Sequence, residues 1–297
     1  AGYVGRRTLQ KSATTSGESS SVPQAPVAKP EEDEYRPQPL SVEYRPPVTT
    51  DTQVGMVVNR RRPMDQRLAP ILEQRLVAVD GEADREALHQ VLLDPDDDDT
   101  IRHEVTNLLR RIDDPKVESL LNAVLDDRRN LERFRFFATQ HLGEIYKEAV
   151  EKKKAADADR LRTRLRDLLA SDRHAYVRRQ ALLSLAQTKD QPALDEARRI
   201  LRQEPDEHPL MDVACRVAGE CRLEDSFAAL RSKARSTVQI VRLRAVGELG
   251  SLKDAASREA FVEASQSTDR QIKAAGQAAL RSLDAASTAV SDPKAAP

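Results

Sequence analysis

The spacing of apolar residues changes character at Met64. Beyond it Leu68, Ile71, Leu72, Leu76 and Val79 fall at i, i+3, i+4, i+8 and i+11, the stripe of one helix face, and Asp80-Gly81 ends it. A second stripe, Leu88, Val91, Leu92 and Leu93, stops at Asp94-Pro95. After residue 100 a decapeptide pattern recurs six times: an apolar residue, Arg or Lys, two variable positions, a small residue, three more, then usually Leu and often Gly. The clearest copies are Val241–Gly250 and Val177–Ala186, and others start at Ile101, Phe134, Met211 and Ile272. Positions 1, 5 and 9 of the pattern lie on one helix face, which is therefore the buried one. The middle position is Val105, Ala138, Ala181, Cys215, Ala245 and Gly276, small enough to predict that the paired helix of the hairpin approaches closely there. A further stripe follows each copy, as in Val117, Leu120, Leu121, Val124 and Leu125, or Ala193, Leu194, Ala197, Ile200 and Leu201. The prediction is a stack of helical hairpins.

The pattern starts at 101, 134, 177, 211, 241 and 272 are separated by 33, 43, 34, 30 and 31 residues. The longest spacing holds the charged stretch Lys147 to Asp159, which is expected to extend two helices beyond their neighbours. Position 2 is Arg102, Arg135, Arg178, Arg242 and Lys273, with Asp212 the exception. Five of the six copies, all but the one at Phe134, are expected to be followed by a turn with an acid: Asp113, Asp190, Asp225, Asp254 and Asp284. The expectation is that the position-2 Arg of one repeat reaches the turn Asp of a neighbour and sets the stacking register, while that Asp caps the next helix.

Residues 1–63 have no such period. They are rich in Ser, Thr and Pro, lack the apolar surface to offset ordering entropy, and are expected to form an extended or disordered arm. Within the arm Glu34-Tyr35-Arg36-Pro37 recurs as Glu43-Tyr44-Arg45-Pro46. Tyr and Arg are residue types that anchor interfaces, so Tyr35, Arg36, Pro37, Tyr44, Arg45 and Pro46 are candidate partner-binding residues. Gln53 to Asn59 is a small apolar patch suited to docking on the first helices. Arg60, Arg61 and Arg62 follow it, either as a solvated junction or as contacts for a phosphate or lipid headgroup. Residues 287–297 read as a loose tail after a solenoid of residues 64–286.

Six aligned starts, four of them with Arg at position 2, resemble the HEAT-like repeats, particularly the short type of about 30 residues also found in phycobilin lyases. The resemblance covers roughly residues 65–285 and implies an all-α, right-handed superhelix of about six helix pairs. It implies no single activity, since scaffolds, adaptors, lyases and a metal enzyme share the frame.

Composition fits that frame: 39% hydrophobic residues drawn mainly from Leu, Ala and Val, 3% aromatic, no Trp and 33% charged. A net charge of −1, from 48 basic and 49 acidic residues, gives no overall field toward nucleic acid or an anionic membrane. No apolar run is long enough to span a bilayer, although the arm leaves membrane association through the N-terminus open. Cys215 and Cys221, six residues apart on one expected helix, sit about 9 Å apart along its axis and cannot pair. The chain begins at Ala1 without Met, which fits export to a bacterial envelope somewhat better than a cytoplasmic location.

Candidate chemistry is sparse. Ile101-Arg102-His103-Glu104-Val105 is similar to the His-Glu motif of deoxyhypusine hydroxylase, a HEAT-like di-iron enzyme. That family needs four such pairs, and here the other histidines read His89-Gln90, His141-Leu142, His174-Ala175 and His208-Pro209. Asp94-Pro95-Asp96-Asp97-Asp98-Asp99 lacks the alternation and the Gly of a calcium loop, and serves better as an acidic linker at the N-terminus of the helix that starts near Thr100. The basic clusters Arg128-Arg129, Arg160 to Arg164 and Arg178-Arg179 have acids at helical spacing, such as Asp157 with Arg160 and Asp167 with Arg164, and read as salt-bridged faces. No cofactor or metal is expected. The function expected is a non-enzymatic scaffold or assembly subunit that binds partner proteins within a larger complex, with a HEAT-frame enzyme, bilin lyase-like or metal-dependent, and a nucleic-acid binder as alternatives.

Overall fold

The computed structural model describes residues 52–73, 76, 79 and 81–291, with side chains described as far as residue 286. These residues fall within one unit, Arg45–Pro297. The Tyr-Arg-Pro motifs at Tyr35, Arg36, Pro37 and Tyr44, Arg45, Pro46 lie outside the described residues.

The fold is an all-α solenoid of helical repeats. Its helices in order are α1 (Gln53–Val58), α2 (Met64–Leu72), α3 (Glu82–Leu93), α4 (Asp99–Arg111), α5 (Val117–Asp126), α6 (Glu132–Glu151), α7 (Ala155–Ser171), α8 (Ala175–Gln187), α9 (Gln191–Gln203), α10 (Met211–Glu220), α11 (Phe227–Lys233), α12 (Gln239–Ser251), α13 (Arg258–Ser265) and α14 (Arg270–Ser291). The decapeptide copies occupy the even helices from α4 to α14. Their stripes are fully buried, as in Ile101, Val105 and Leu109, Phe134, Ala138 and Leu142, and Val241, Ala245 and Leu249. Burying a Leu, Val or Phe side chain stabilises by about 1.5–3 kcal/mol, so this repeated face dominates folding.

The apolar patch at 53–59 is the helix α1, capped by the Thr52 hydroxyl, which accepts the Gly55 N–H at 2.9 Å. It buries Val54, Val57 and Val58 against α2 and α3. The charged insertion lengthens α6 and α7 to 20 and 17 residues, where α4 and α5 have 13 and 10. At the C-terminus α14 runs on to Ser291, past residue 286 where the solenoid is expected to end.

The small middle position serves a different neighbour from the expected one. A Cβ on Gly276 of α14 would lie 2.5 Å from the Ser265 nitrogen and 2.8 Å from the Ala264 Cβ, both on α13. The close approach is therefore to the second helix of the preceding hairpin, because each even helix nests between its two predecessors. The glycine near the end of the pattern has another task. A Cβ on Gly143, Gly219 or Gly250 would lie 2.6, 2.6 or 2.7 Å from the Cβ of Ser184, Glu248 or Ala279, each on the next even helix. Gly143 and Gly250 hold position 10 of the pattern and Gly219 position 9; where position 10 is Arg110 or Ala186, the pairs α4/α6 and α8/α10 touch far less than α6/α8, α10/α12 and α12/α14.

The turns within hairpins share one backbone. Asp113, Lys153, Lys189, Arg222 and Lys253 all take positive φ, between 52° and 62°. The next residue's N–H then donates to a carbonyl five residues back, as from Asp114 to Leu109 at 2.9 Å and from Asp254 to Leu249 at 3.0 Å.

Two ladders of polar contacts set the register, and the expected single ladder is corrected accordingly. The position-2 Arg does not reach the hairpin turn. It lies at the root of the loop between hairpins, where its guanidinium meets the end of the preceding helix and the next loop. Thus Arg67 Nε donates to the Val57 carbonyl at 2.6 Å, and its two terminal nitrogens donate to Asp97, each at 2.7 Å. Arg102 donates to the Leu92 carbonyl at 3.1 Å and to Asn130 at 2.5 Å, and Arg135 donates to the Leu125 carbonyl at 2.6 Å and pairs with Asp172. The turn acids are held from the second helix of the hairpin before: His89 faces Asp114 at 3.1 Å, Arg166 pairs with Asp190 at 2.5 Å, Arg202 with Asp225 at 2.7 Å and Arg231 with Asp254 at 2.7 Å. Asp114, buried, takes the place expected for Asp113, which is the exposed left-handed residue.

Candidate functional site

The even helices also share an exposed face, and its groups vary where the buried face does not. Across α6, α8, α10 and α12, Phe136, Tyr176, Arg179, Gln180, Leu183, Asp212, Val213, Arg216 and Arg244 line one depression of about 250 Å³. Asp212, the acid that replaces the position-2 Arg, is buried and pairs with Arg179 from the neighbouring repeat. The same guanidinium stands 5.2 Å from the centroid of the Tyr176 ring, which is 53% exposed. Arg216 pairs with Glu220 at 2.6 Å and Arg244 with Glu248 at 3.8 Å. Glu248 is wedged over Gly219, and burial pushes its carboxyl up to about 7. Aromatic rings and arginines that rise from four successive hairpins give a surface rich in the residue types that anchor protein interfaces.

At the α4/α6 junction, Arg110 stands in place of glycine. Its guanidinium pairs with Glu144, donates to Glu148 at 3.0 Å and lies 3.3 Å from His141 Nδ1. His141 and then Arg110 hold Glu144 down at about 2. The other nitrogen of His141 lies 3.1 Å from His103 Nδ1, and the His103 ring packs 4.5 Å from Phe137. Burial, then the facing His141, lowers the His103 pKa. His103 is thus an inter-repeat residue and Glu104 bonds Asn107 at 3.2 Å. Among the described residues no group of three or more His, Cys, Asp or Glu side chains is placed to hold a metal ion.

The arginines after α1 separate in role. Arg60 pairs with Asp94 and lies 3.6 Å from Asp97, while Arg61 is exposed and Arg62 turns its Nε inward with no partner. The acidic linker is consumed by the fold in the same way: Asp97 holds Arg67, Asp98 caps α4 by accepting the Thr100 N–H at 2.8 Å, and Asp99 faces Arg102 at 3.5 Å. In the basic cluster of α7, Arg160 pairs with Glu118 at 2.7 Å and Asp157 at 3.0 Å, and Arg162 pairs with Asp159. Arg164 reaches Asp126 of α5 at 2.6 Å rather than Asp167. Cys215 and Cys221 are both free, and burial pushes the Cys215 thiol up to about 12.

No protein-family model and no curated protein matches the chain. Solved structures similar to it include human deoxyhypusine hydroxylase in complex with glycerol, at 18% identity over 80% of this chain and 96% of that one, with a TM-score of 0.33. A designed armadillo repeat protein in complex with the peptide (KR)4 is 16% identical over 78% of this chain and 98% of that one, with a TM-score of 0.41. An engineered protein is 17% identical over 67% of this chain and 96% of that one, with a TM-score of 0.44.

Arg67 and the exposed aromatic groups were not legible as site residues. Arg67 stands 35 residues before Arg102, a repeat length away, but Gln66 and Pro70 occupy its positions 1 and 5 and hide the copy. Phe136, Arg179 and Val213 all hold position 3, so a comparison of that column across copies would have found the lining.

Proposed function

We propose that this chain is a non-catalytic protein-binding scaffold built on HEAT-like repeats of the short type, and that it holds a partner on the exposed face of its even helices. The depression from Phe136 to Arg244 carries the reading: it crosses four hairpins, exposes Tyr176 and presents arginines whose carboxylate partners sit on its own rim. A rigid row of helices presents such groups without the ordering cost a loop would incur. The two Glu-Tyr-Arg-Pro motifs of the arm serve in this reading as a second, extended contact to the same complex.

The test is cross-linking and affinity purification of the full chain from native cells beside the double substitution Tyr176→Ala with Arg179→Glu, and beside a chain lacking residues 1–51. Loss of partners on the double substitution, with the helical circular dichroism signal retained, is the expected result. An unchanged partner set would remove the even-helix face from consideration, and an unchanged set on deleting the arm would do the same for its motifs.

A further inference from the structure

The ladder of position-2 arginines shows what such a residue is placed to hold, and at two rungs, Arg178 and Arg242, no such group is bound among the described residues. Arg67 and Arg135 each grip a carboxylate from the next inter-hairpin loop, and Arg102 grips the Asn130 amide oxygen. Arg178 stands at the same position of α8, yet its Nε is buried without a hydrogen-bond partner and it makes no ion pair among the described residues. The facing loop does carry acids, but they are engaged elsewhere. Glu204 accepts from Arg199 at 2.5 Å, and Asp206 binds Lys233 of α11 at 2.6 Å. Glu207 is exposed and lies outside the cavity.

In place of the missing acid is a cavity of about 480 Å³, lined by Arg178 with Leu169, Ala170, Pro192, Ala193 and Leu210. Arg166, Glu196, Arg199 and His208 complete its wall. The charges of Arg166 and Arg199 are already matched, by Asp190 at 2.5 Å and by Glu196 at 2.8 Å. Arg199 also holds Glu204 at 2.5 Å, so these acids balance the formal charge of the wall, and Arg178 is the one guanidinium of the recess that has no hydrogen bond or ion pair of its own among the described residues. Arg135 and Arg242 also have an unpartnered Nε, but Arg135 holds Asp172 through a terminal nitrogen, while Arg242 lines none of the described cavities and the Glu263 carboxylate, whose pKa it helps to lower, stands near it.

We propose that the Arg178 cavity is a binding site for a carboxylate side chain, Asp or Glu, presented beside an apolar residue on a segment of a partner protein. The segment completes the ladder from outside the chain. Arg178 is the guanidinium of the wall left without a carboxylate, and its fork suits the two oxygens of one. The volume accommodates one acidic and one aliphatic side chain. The site lies apart from the even-helix depression, so either can be disproved without the other.

The experiment uses the full chain, a capped hexapeptide of alternating Leu and Glu, and the same peptide with Gln for Glu. Fluorescence anisotropy is expected to show at least tenfold tighter binding of the Glu peptide, lost on Arg178→Gln and kept on Arg242→Gln. The Arg178 Nε–H resonance, followed by NMR, is expected to shift on titration with the Glu peptide. Because no internal partner is lost, Arg178→Gln is expected to unfold within about 2 °C of the parent. Equal affinity for the Glu and Gln peptides would overturn the proposal, as would full binding by Arg178→Gln. So would tighter binding of inorganic phosphate than of the Glu peptide, or a melting loss for Arg178→Gln as large as that for Arg135→Gln.

Discussion

Single residues here store strain and charge in places that composition does not reveal. Lys189 and Lys253 hold left-handed turns at φ 62° and 56°, a conformation in which a side chain costs roughly 1–2 kcal/mol and glycine nothing steric. Lys189→Gly and Lys253→Gly are each expected to raise stability by about 0.5–1 kcal/mol in urea unfolding, net of glycine's larger unfolded-state entropy. Glu248 gives a pH signature. Its carboxyl titrates near 7 when folded and near 4.5 when unfolded, so between those values the folded chain binds the extra proton. Its contribution to stability therefore falls as pH rises from about 4.5 to about 7 and is flat above. At about 1.4 kcal/mol per unit the full shift corresponds to about 3 kcal/mol, and solvent screening of this half-buried group brings the expected loss to about 1–2 kcal/mol. Glu248→Gln should accordingly be more stable than the parent at pH 8 by more than at pH 5. Urea unfolding at the two pH values checks the sign. Arg135→Gln, in contrast, leaves buried Asp172 without its partner and is expected to cost about 3 kcal/mol.

At the scale of the helix, glycine decides which even helices can touch. Gly143→Ala and Gly250→Ala each force a methyl into the next helix and are expected to destabilise by about 1–3 kcal/mol. Gly247, three residues from Gly250 on α12, has open space for at least 4 Å around the position a methyl would take, so Gly247→Ala should stabilise by about 1 kcal/mol through helix propensity alone. Thermal melting of the three variants separates the contact from the propensity. That the even positions are helices was plain from the spacing of Val241, Ala245 and Leu249. That Gly143 meets Ser184 was not, because the pattern within one helix contains no information about which neighbour its glycine faces.

For the molecule as a whole, unequal junctions divide the stack. Both α12 and α13 pack extensively on α14, while α4 and α5 meet α6 over much less. In a nearest-neighbour solenoid the looser junctions yield first. Amide exchange in urea below the unfolding midpoint is therefore expected to release α2 to α5 as a block before α10 to α14. Simultaneous exchange of all helices would show that the junctions are equivalent.

The sequence by itself determined the period, the hairpins and the buried faces, because these depend on residues three or four apart on one helix. It also marked the rungs, Arg at position 2 and Asp after the turn, and the breaks, Asp212 and the long α6 and α7. Only the tertiary structure decided the partners: that Arg102 meets Asn130 and not a turn acid, that Asp114 replaces Asp113, that Tyr176 faces outward beside Arg179, and that Arg178 meets no acid at all. The contacts of Arg102 and Asp114 join residues 28 and 25 positions apart, and their geometry follows from how closely successive helices approach, which one helix's own pattern does not encode.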